Sequence, residues 1–123
     1  MLSKRALALN PRIKKFISLL QDNKIDAYLV TNDGNIKYLT EFPASESWLF
    51  VTSKRIFYIT DSRYILEAQK GLRGIIVQRY TTSIFATFFK LIQRMNVKKV
   101  GLDERHISLA QYKNFRRQPA YNL

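Results

Sequence analysis

Short apolar runs alternate with helical periodicity along this chain, and that alternation leaves few folds open. The runs are residues 26–31 (Asp-Ala-Tyr-Leu-Val-Thr), 48–51 (Trp-Leu-Phe-Val), 56–60 (Ile-Phe-Tyr-Ile-Thr), 74–79 (Gly-Ile-Ile-Val-Gln-Arg) and 98–102. Ser53, Lys54 and Arg55 join the second run to the third, so these two form an antiparallel hairpin. Helical stretches separate the others, and crossovers of that kind join parallel strands with a right-handed sense. Asn10 and Pro11 open the first helix, with Ile13, Phe16, Ile17 and Leu20 on one face and an end near Asn23. The turn signals Asn32, Asp33 and Gly34 precede a short helical turn over 35–39, and residues 42–47 read as a loop. Asp61 or Ser62 is expected to cap a helix that runs to about Lys70 with Gly71 at its end. Ser83 is expected to cap another, with Phe85, Phe88, Ile92 and Met95 as its buried stripe beside Ile84 and Leu91. Ser108 and Gln111 have the spacing of a capping box, ahead of a helix carrying Leu109, Tyr112 and Phe115 inward. The expected fold is α/β, a mixed β-sheet with helices packed on both faces. It forms one domain over residues 1–123 with an ordered core of about 10–117.

Composition narrows the function classes. The longest apolar runs hold a handful of residues, against the roughly 20 that a membrane helix needs, so no membrane partner is expected. The charged start, from Met1 to Arg5, is followed by Pro11, Arg12, Lys14 and Lys15 rather than an apolar stretch, so no secretory signal is read there. The absence of cysteine suits a reducing compartment, and a cytoplasmic location is expected. Lys and Arg number 21 against 9 Asp and Glu, a net charge of +12. Such an excess fits a nucleic-acid or anionic-surface binder, a piece of a longer chain whose other part is acidic, or a solvated basic face. The basic groups are Lys4 with Arg5, Arg12 with Lys14 and Lys15, Lys98 with Lys99, and Arg116 with Arg117; most aromatic residues fall at inward positions. No recognised nucleic-acid motif accompanies them, so nucleic acid is the lesser reading.

The residues for self-contained catalysis are missing. His106 is the sole histidine, and the nine acids are scattered without metal-ligand spacing. No Gly-x-Ser-x-Gly elbow or glycine-rich phosphate loop occurs. Asp103, Glu104, Arg105 and His106 are the densest polar cluster and read as a strand-to-helix loop. A nuclease reading would need Asp26, Asp61 and Asp103, each at a strand end, to converge on two metal ions.

Four segments, in order, resemble the N-terminal domain of the creatinase, prolidase and aminopeptidase P family. Residues 35–42 (Asn-Ile-Lys-Tyr-Leu-Thr-Glu-Phe) are similar to its Asn-Ile-Arg-Tyr-Leu-Thr-Gly-Phe signature, and residues 60–64 (Thr-Asp-Ser-Arg-Tyr) to its Thr-Asp-x-Arg-Tyr segment. The opening helix with residues 25–30, and residues 100–103 ahead of a Ser-capped helix, complete the likeness, which runs from about Arg12 to Phe115. Glu41 departs from the family glycine, and would be costly if that glycine has positive φ. Asn35, Tyr38, Leu39, Phe42, Asp61, Arg63 and Tyr64 are therefore the motif residues, mainly structural. Asn35 would satisfy backbone groups in the turn, Tyr38, Leu39 and Phe42 would pin the short helix to the core, and Asp61 would accept helix N–H groups beside Arg63.

The resemblance implies a layout similar to that of ribonuclease H and a two-part parent enzyme, a Xaa-Pro peptidase acting on proline-containing peptides. Two divalent metal ions (Mn, Co or Zn) would be held by a C-terminal pita-bread domain not contained in these residues. This domain would hold no catalytic residue, metal or cofactor of its own. Its partners would be that catalytic domain and a second subunit, in a homodimer or higher oligomer. Its role would be assembly and the shaping of a neighbouring subunit's cleft, through the loop from Asn32 to Trp48, with Asp33, Glu46 and Trp48 facing the substrate. A creatinase-like amidinohydrolase would carry the same domain. An acidic catalytic part would also account for the basic charge.

Overall fold

The computed structural model describes residues 9–103 and 105–116; Lys4, Arg5, Glu104 and Arg117 lie outside them. In chain order the elements are α1 (Pro11–Asp22), β1 (Ala27–Val30), α2 (Asp33–Thr40), β2 (Trp48–Thr52), β3 (Ile56–Thr60), α3 (Ile65–Gly71), β4 (Ile76–Arg79), α4 (Ile84–Met95), β5 (Val100–Leu102) and α5 (Leu109–Arg116). The five strands form one mixed sheet in the order β4-β3-β2-β1-β5. The β2–β3 hairpin is antiparallel, with Trp48 opposite Ile59. β1 is antiparallel to β2, with Ala27 opposite Thr52 and Val30 opposite Leu49. Both outer pairs, β3 with β4 and β1 with β5, are parallel.

Strand direction sorts the loops into two ends. The C-terminal ends of β1, β3, β4 and β5 meet the start of β2 at one end, called upper here. The lower end gathers the tip of the β2–β3 hairpin and the loops that enter β1, β4 and β5.

Every strand position of β2 and β3 is buried, so the sheet needs cover on both faces. Alternation divides the work. Ala27, Leu29, Trp48, Phe50, Phe57 and Ile59 meet Phe88, Phe89, Leu91 and Ile92 of α4 and Phe115 of α5. On the other face Val30, Leu49, Val51, Ile56 and Tyr58 meet Ile13 and Leu20 of α1, Ile36 and Leu39 of α2, and Ala68 of α3.

The helix signals are realised with four corrections. Asn10 caps α1, Ser83 caps α4, and Ser108 with Gln111 makes the reciprocal bonds of a capping box. The turn over 32–34, however, is the start of a helix: Asn32 is the N-cap, its side-chain oxygen accepting from the Asn35 backbone N–H at 2.9 Å. Asn35 thus receives a cap through its backbone rather than supplying one. Tyr38 does not pin α2 to the core. Ile36 and Leu39, three residues apart, take the inward stripe, and Tyr38 is 61% exposed. Its ring lies under the Arg12 guanidinium at 4.5 Å, and Arg12 Nη1 donates to its carbonyl at 2.9 Å. Neither Asp61 nor Ser62 caps α3, which starts at Ile65 after a turn in which the Tyr64 N–H reaches the Asp61 carbonyl. Among the described side chains of α5 only Phe115 is buried; Leu109 is 69% and Tyr112 41% exposed, so the helix meets the core near its last turn.

Two backbone positions are tightly specified. Gly101 lies against the ring of Tyr28 across the β1–β5 pair, where an added Cβ would come within 2.5 Å. Glu41 closes α2 in the left-handed conformation, φ 62°, its N–H donating to the Lys37 carbonyl at 2.7 Å. This is the αL cap that glycine fills at least cost, and it explains the glycine of the similar motif. The Arg12–Glu41 pair at 3.8 Å is exposed on both sides and offsets little of the strain. Glu41→Gly is therefore expected to stabilise the domain by about 0.5–1 kcal/mol. Gly101→Ala, by forcing the Tyr28 ring to shift, is expected to destabilise it by about 1–3 kcal/mol. Urea denaturation followed by tryptophan fluorescence measures both.

Candidate functional site

The upper end holds most of the polar chemistry, in two groups. The first is built on Thr60, the last residue of β3. Ser47 and Thr60 are buried side by side, their hydroxyl oxygens 2.8 Å apart. Ser47 Oγ also lies 2.7 Å from the Ser45 carbonyl. One hydroxyl carries one proton, so Ser47 donates to the carbonyl and Thr60 donates to Ser47. Tyr58, fully buried beneath them, has its phenol in contact with the same hydroxyls. Burial raises its phenol above the ordinary value, partly offset by those contacts. This hydroxyl cluster ties the loop over 42–47 to the sheet. Phe42 adds an edge-to-face contact with Tyr58 at 5.7 Å and packs over Gly71, where a Cβ would come within 2.6 Å of its ring.

Immediately outside the hydroxyls stands an ion cluster. Arg63 Nη2 donates to Glu46 at 2.5 Å and to Asp61 at 2.7 Å, and Arg63 Nε lies 3.1 Å from both Asp61 oxygens. The Arg63 backbone N–H donates to Asp61 Oδ1 at 2.9 Å. Tyr80, directly after β4, brings its phenol beside Asp61 from the neighbouring strand. Hydrogen bonds from Arg63 hold the Asp61 carboxyl below the usual carboxylate range, and the two carboxylates push the guanidinium up. Burial, then the charge of Asp61, raises the Tyr80 phenol. The Arg63 guanidinium also covers the Tyr64 ring at 4.9 Å. Glu46 adopts φ 48°, a strained value for a side-chain-bearing residue, and it is the Arg63 contact that engages its carboxylate there.

The second group lies at the β1–β5 pair. From these adjacent parallel strands the chain leaves to opposite faces, into α2 on one and α5 on the other. Such a switch point is where open α/β sheets form a crevice. Here the crevice holds about 240 Å³, walled by Phe16, Tyr28, Val30, Tyr38 and Leu39 with Asn32, Asn35, Asp103 and His106 as its polar groups. His106 Nε2 is 3.7 Å from Asp103, and its carbonyl receives the Thr31 hydroxyl at 3.3 Å. Burial, then the Asp103 charge, raises the Tyr28 phenol. The polar-loop reading of 103–106 holds for the described members.

Asp33 and Glu46 are exposed, Glu46 through its bond to Arg63. Trp48 is not available to a neighbour: it is 6% exposed, edge-on to Phe85 at 4.9 Å and beside Phe115 at 5.7 Å. The residue opens β2 on the α4 side, so the alternation that buries Phe50 buries it too. Sequence reading missed Ser47, Tyr58 and Tyr80 as parts of this end. Their roles depend on strand register across the sheet, which leaves no local signal. Asp26, Asp61 and Asp103 do not converge. Asp26 sits at the lower end, accepting the Lys98 and Lys99 backbone N–H groups, and Asp61 follows β3, three strands from β5. At about 4.8 Å per strand, that is roughly 14 Å. Among the described residues no three His, Asp or Glu side chains are grouped to hold a metal ion. A family's catalytic metals do not fit these residues.

The sequence profile of the Creatinase/Prolidase N-terminal domain family matches residues 12–121. A candidate Xaa-Pro aminopeptidase of Mycoplasma pneumoniae is 34% identical over 98 residues, which cover 79% of this chain and 27% of that protein. The structure of an aminopeptidase P, a Xaa-Pro aminopeptidase of Streptococcus thermophilus, superposes with a TM-score of 0.83 at 29% identity, covering 91% of this chain and 87% of that one. A Xaa-Pro dipeptidase of Bacillus anthracis shares the fold, with a TM-score of 0.82 at 22% identity over 90% of this chain and 31% of its own. The chain thus spans 27% and 30% of the lengths of the first two curated relatives it matches. No described helix is long and apolar enough to cross a membrane.

Because the Asp61 carboxyl is held below its unfolded value, it stabilises the fold above about pH 4, and that contribution is lost as pH falls through its depressed native value. Arg63→Gln removes the main cause of the depression. Urea midpoints at pH 5 and pH 2.5 are expected to differ less in that variant than in the wild-type chain.

Proposed function

We propose that this chain, which belongs to the Creatinase/Prolidase N-terminal domain family, is the accessory domain of a metal-dependent Xaa-Pro peptidase. The observation that carries this reading is the match, over nine tenths of the chain, to a structure named as a Xaa-Pro aminopeptidase. In this reading bond cleavage, the divalent metals and the proline-peptide substrate belong to a catalytic domain outside these residues. Three of the carboxylates are committed elsewhere: Asp61 and Glu46 to Arg63, Asp26 to two backbone N–H groups. The domain's contribution is a shaped surface. It joins subunits and brings the upper end, with Asp33, Glu46 and the anchored loop over 42–47, to a neighbouring subunit's cleft. Cytoplasmic operation accords with the absence of cysteine.

A loop held by buried hydroxyls and an arginine fork suits such a task. A wall that orients substrate and excludes water must not collapse when the cleft fills. Its substitution should therefore act on substrate capture more than on the chemical step.

The 123-residue chain alone is expected to hydrolyse no Xaa-Pro peptide, with or without added Mn²⁺. In the longer metal-loaded protein, Asp33→Ala together with Glu46→Ala is expected to raise KM for a Xaa-Pro peptide by about 3- to 10-fold, with kcat changed less. Turnover by the chain alone, or an unchanged kcat/KM in the double variant, would overturn the proposal.

A further inference from the structure

The two ends of the sheet differ in how their charges are arranged. Asp33, Glu46, Asp61 and Asp103 lie at the upper end with Arg63, Arg79 and Arg105, and Arg63 bridges Asp61 to Glu46. The loops of the lower end carry Lys24, Lys54, Arg55, Arg73, Lys98 and Lys99. The described acids nearest in sequence to those loops are Asp22 and Asp26, and the Asp26 carboxylate accepts backbone N–H groups. Between α1 and the hairpin tip this end opens a groove of about 280 Å³. Lys14, Lys54 and Arg55 line it, all exposed and none within 4 Å of a carboxylate among the described residues. Leu9, Ile17 and Ile56 supply its apolar part.

We infer that this lower groove is a docking site for an acidic, partly apolar protein segment. Three cations with no carboxylate among the lining residues attract negative charge, and unpaired they repel one another. The chemistry of the rest of the lining selects the kind of anion. A nucleic-acid strand held without sequence preference uses aromatic platforms for its bases, and no aromatic side chain lines this groove. Aliphatic side chains among the cations instead match a peptide that alternates acidic with aliphatic residues, burying the latter while the former meet Lys14, Lys54 and Arg55. The site stands apart from the upper end, so it does not depend on the peptidase reading.

The test uses the 123-residue chain and synthetic probes at low salt. The first probe is a blocked octapeptide alternating Glu and Leu, the second its Gln and Leu counterpart, and the third an oligothymidylate of equal charge. Binding is read by fluorescence anisotropy, and its location by amide chemical shifts. The Glu–Leu peptide is expected to bind with shifts centred on Ser18, Gln21 and Ser53, and about tenfold more tightly than the Gln–Leu peptide. Lys54→Glu with Arg55→Glu, on an exposed hairpin tip that contributes nothing to the core, is expected to lower its affinity about tenfold or more. Lys90→Glu, an exposed charge on α4 on the far face, is expected to change it less than about twofold. Tighter binding of the oligothymidylate would overturn the inference in favour of nucleic acid. An equal loss in the Lys90 variant would reduce the effect to net charge, and no binding of the Glu–Leu peptide would remove the site; each of these defeats the proposal.

Discussion

The β2–β3 hairpin is buried at every strand position, on both faces, and the rest of the domain is organised by that demand. A three-residue connection fixes its register, and one residue of slip would exchange the two apolar sets between faces. Trp48, Phe50, Phe57 and Ile59 require α4 and Phe115; Leu49, Val51, Ile56 and Tyr58 require α1, α2 and α3. The aromatic cluster on the first side, in which Phe88 meets Trp48, Phe50 and Phe115 edge-to-face at 5.2–6.0 Å and Phe89 at a tilt, gives that face its specificity through ring geometry. Because the hairpin occupies the centre, β1 and β4 flank it and β5 is left to pair with β1. The parallel β1–β5 pair, and with it the switch-point crevice, is a consequence of the central strands being filled.

The same register builds the upper end. Trp48 opposite Ile59 leaves Ser47 beside Thr60 at the mouth of the sheet, and the parallel β3–β4 pairing delivers Tyr80 next to Asp61. Arg63 then closes the arrangement by bridging Asp61 to Glu46. The energetic weight lies beneath the charges. Arg63 and Glu46 are 59% and 65% exposed, so water screens their attraction and their pairing orients more than it stabilises. The buried hydroxyls cannot lose a partner so cheaply, since an unsatisfied polar group out of reach of water costs about 1–3 kcal/mol. Glu46 holds positive φ in a loop whose neighbour Ser47 is anchored from below and whose side chain is drawn by Arg63.

Most of the fold was legible because local signals and tertiary demands agree. Asn10, Ser83 and Ser108 lie where caps are wanted, and the apolar runs became strands. The errors share a physical cause. Asn32 and Asn35 are both plausible in a turn, and only the position of the Ile36–Leu39 stripe against the sheet decides which one caps. Tyr38 fits an inward position until Ile36 is seen to take it. Leu109 and Tyr112 have the right period, but a helix that touches the core through Phe115 leaves them outside. Of the upper end, Asp61 and Arg63 were readable as a charged pair within one turn. Tyr80 and Ser47 were not, because they reach the site across strands. Trp48 misleads for the complementary reason: in the sequence it reads as the end of a polar loop, and it is the first residue of a buried strand.

The arrangement of charge bears on how a domain without a reaction of its own contributes to a larger one. Parallel strands place their entry loops together at one end and their exit loops at the other, so any bias in loop composition becomes a dipole along the sheet. Here the exit loops hold Asp61 and Glu46 joined to Arg63, with Arg79 and Arg105 nearby, and the entry loops hold cations that have no carboxylate within 4 Å among the described residues. The arrangement leaves an upper end in which Asp61, Glu46 and Arg63 are locked together, suited to holding a fixed shape, and a lower end whose field reaches about a Debye length, roughly 8 Å at physiological salt. Shape at one end and field at the other make separable demands on the sequence: the upper end depends on register and buried hydroxyls, the lower only on the sign of exposed loop residues. A family could therefore retain the first while changing the second from member to member, without disturbing the hairpin on which the fold rests.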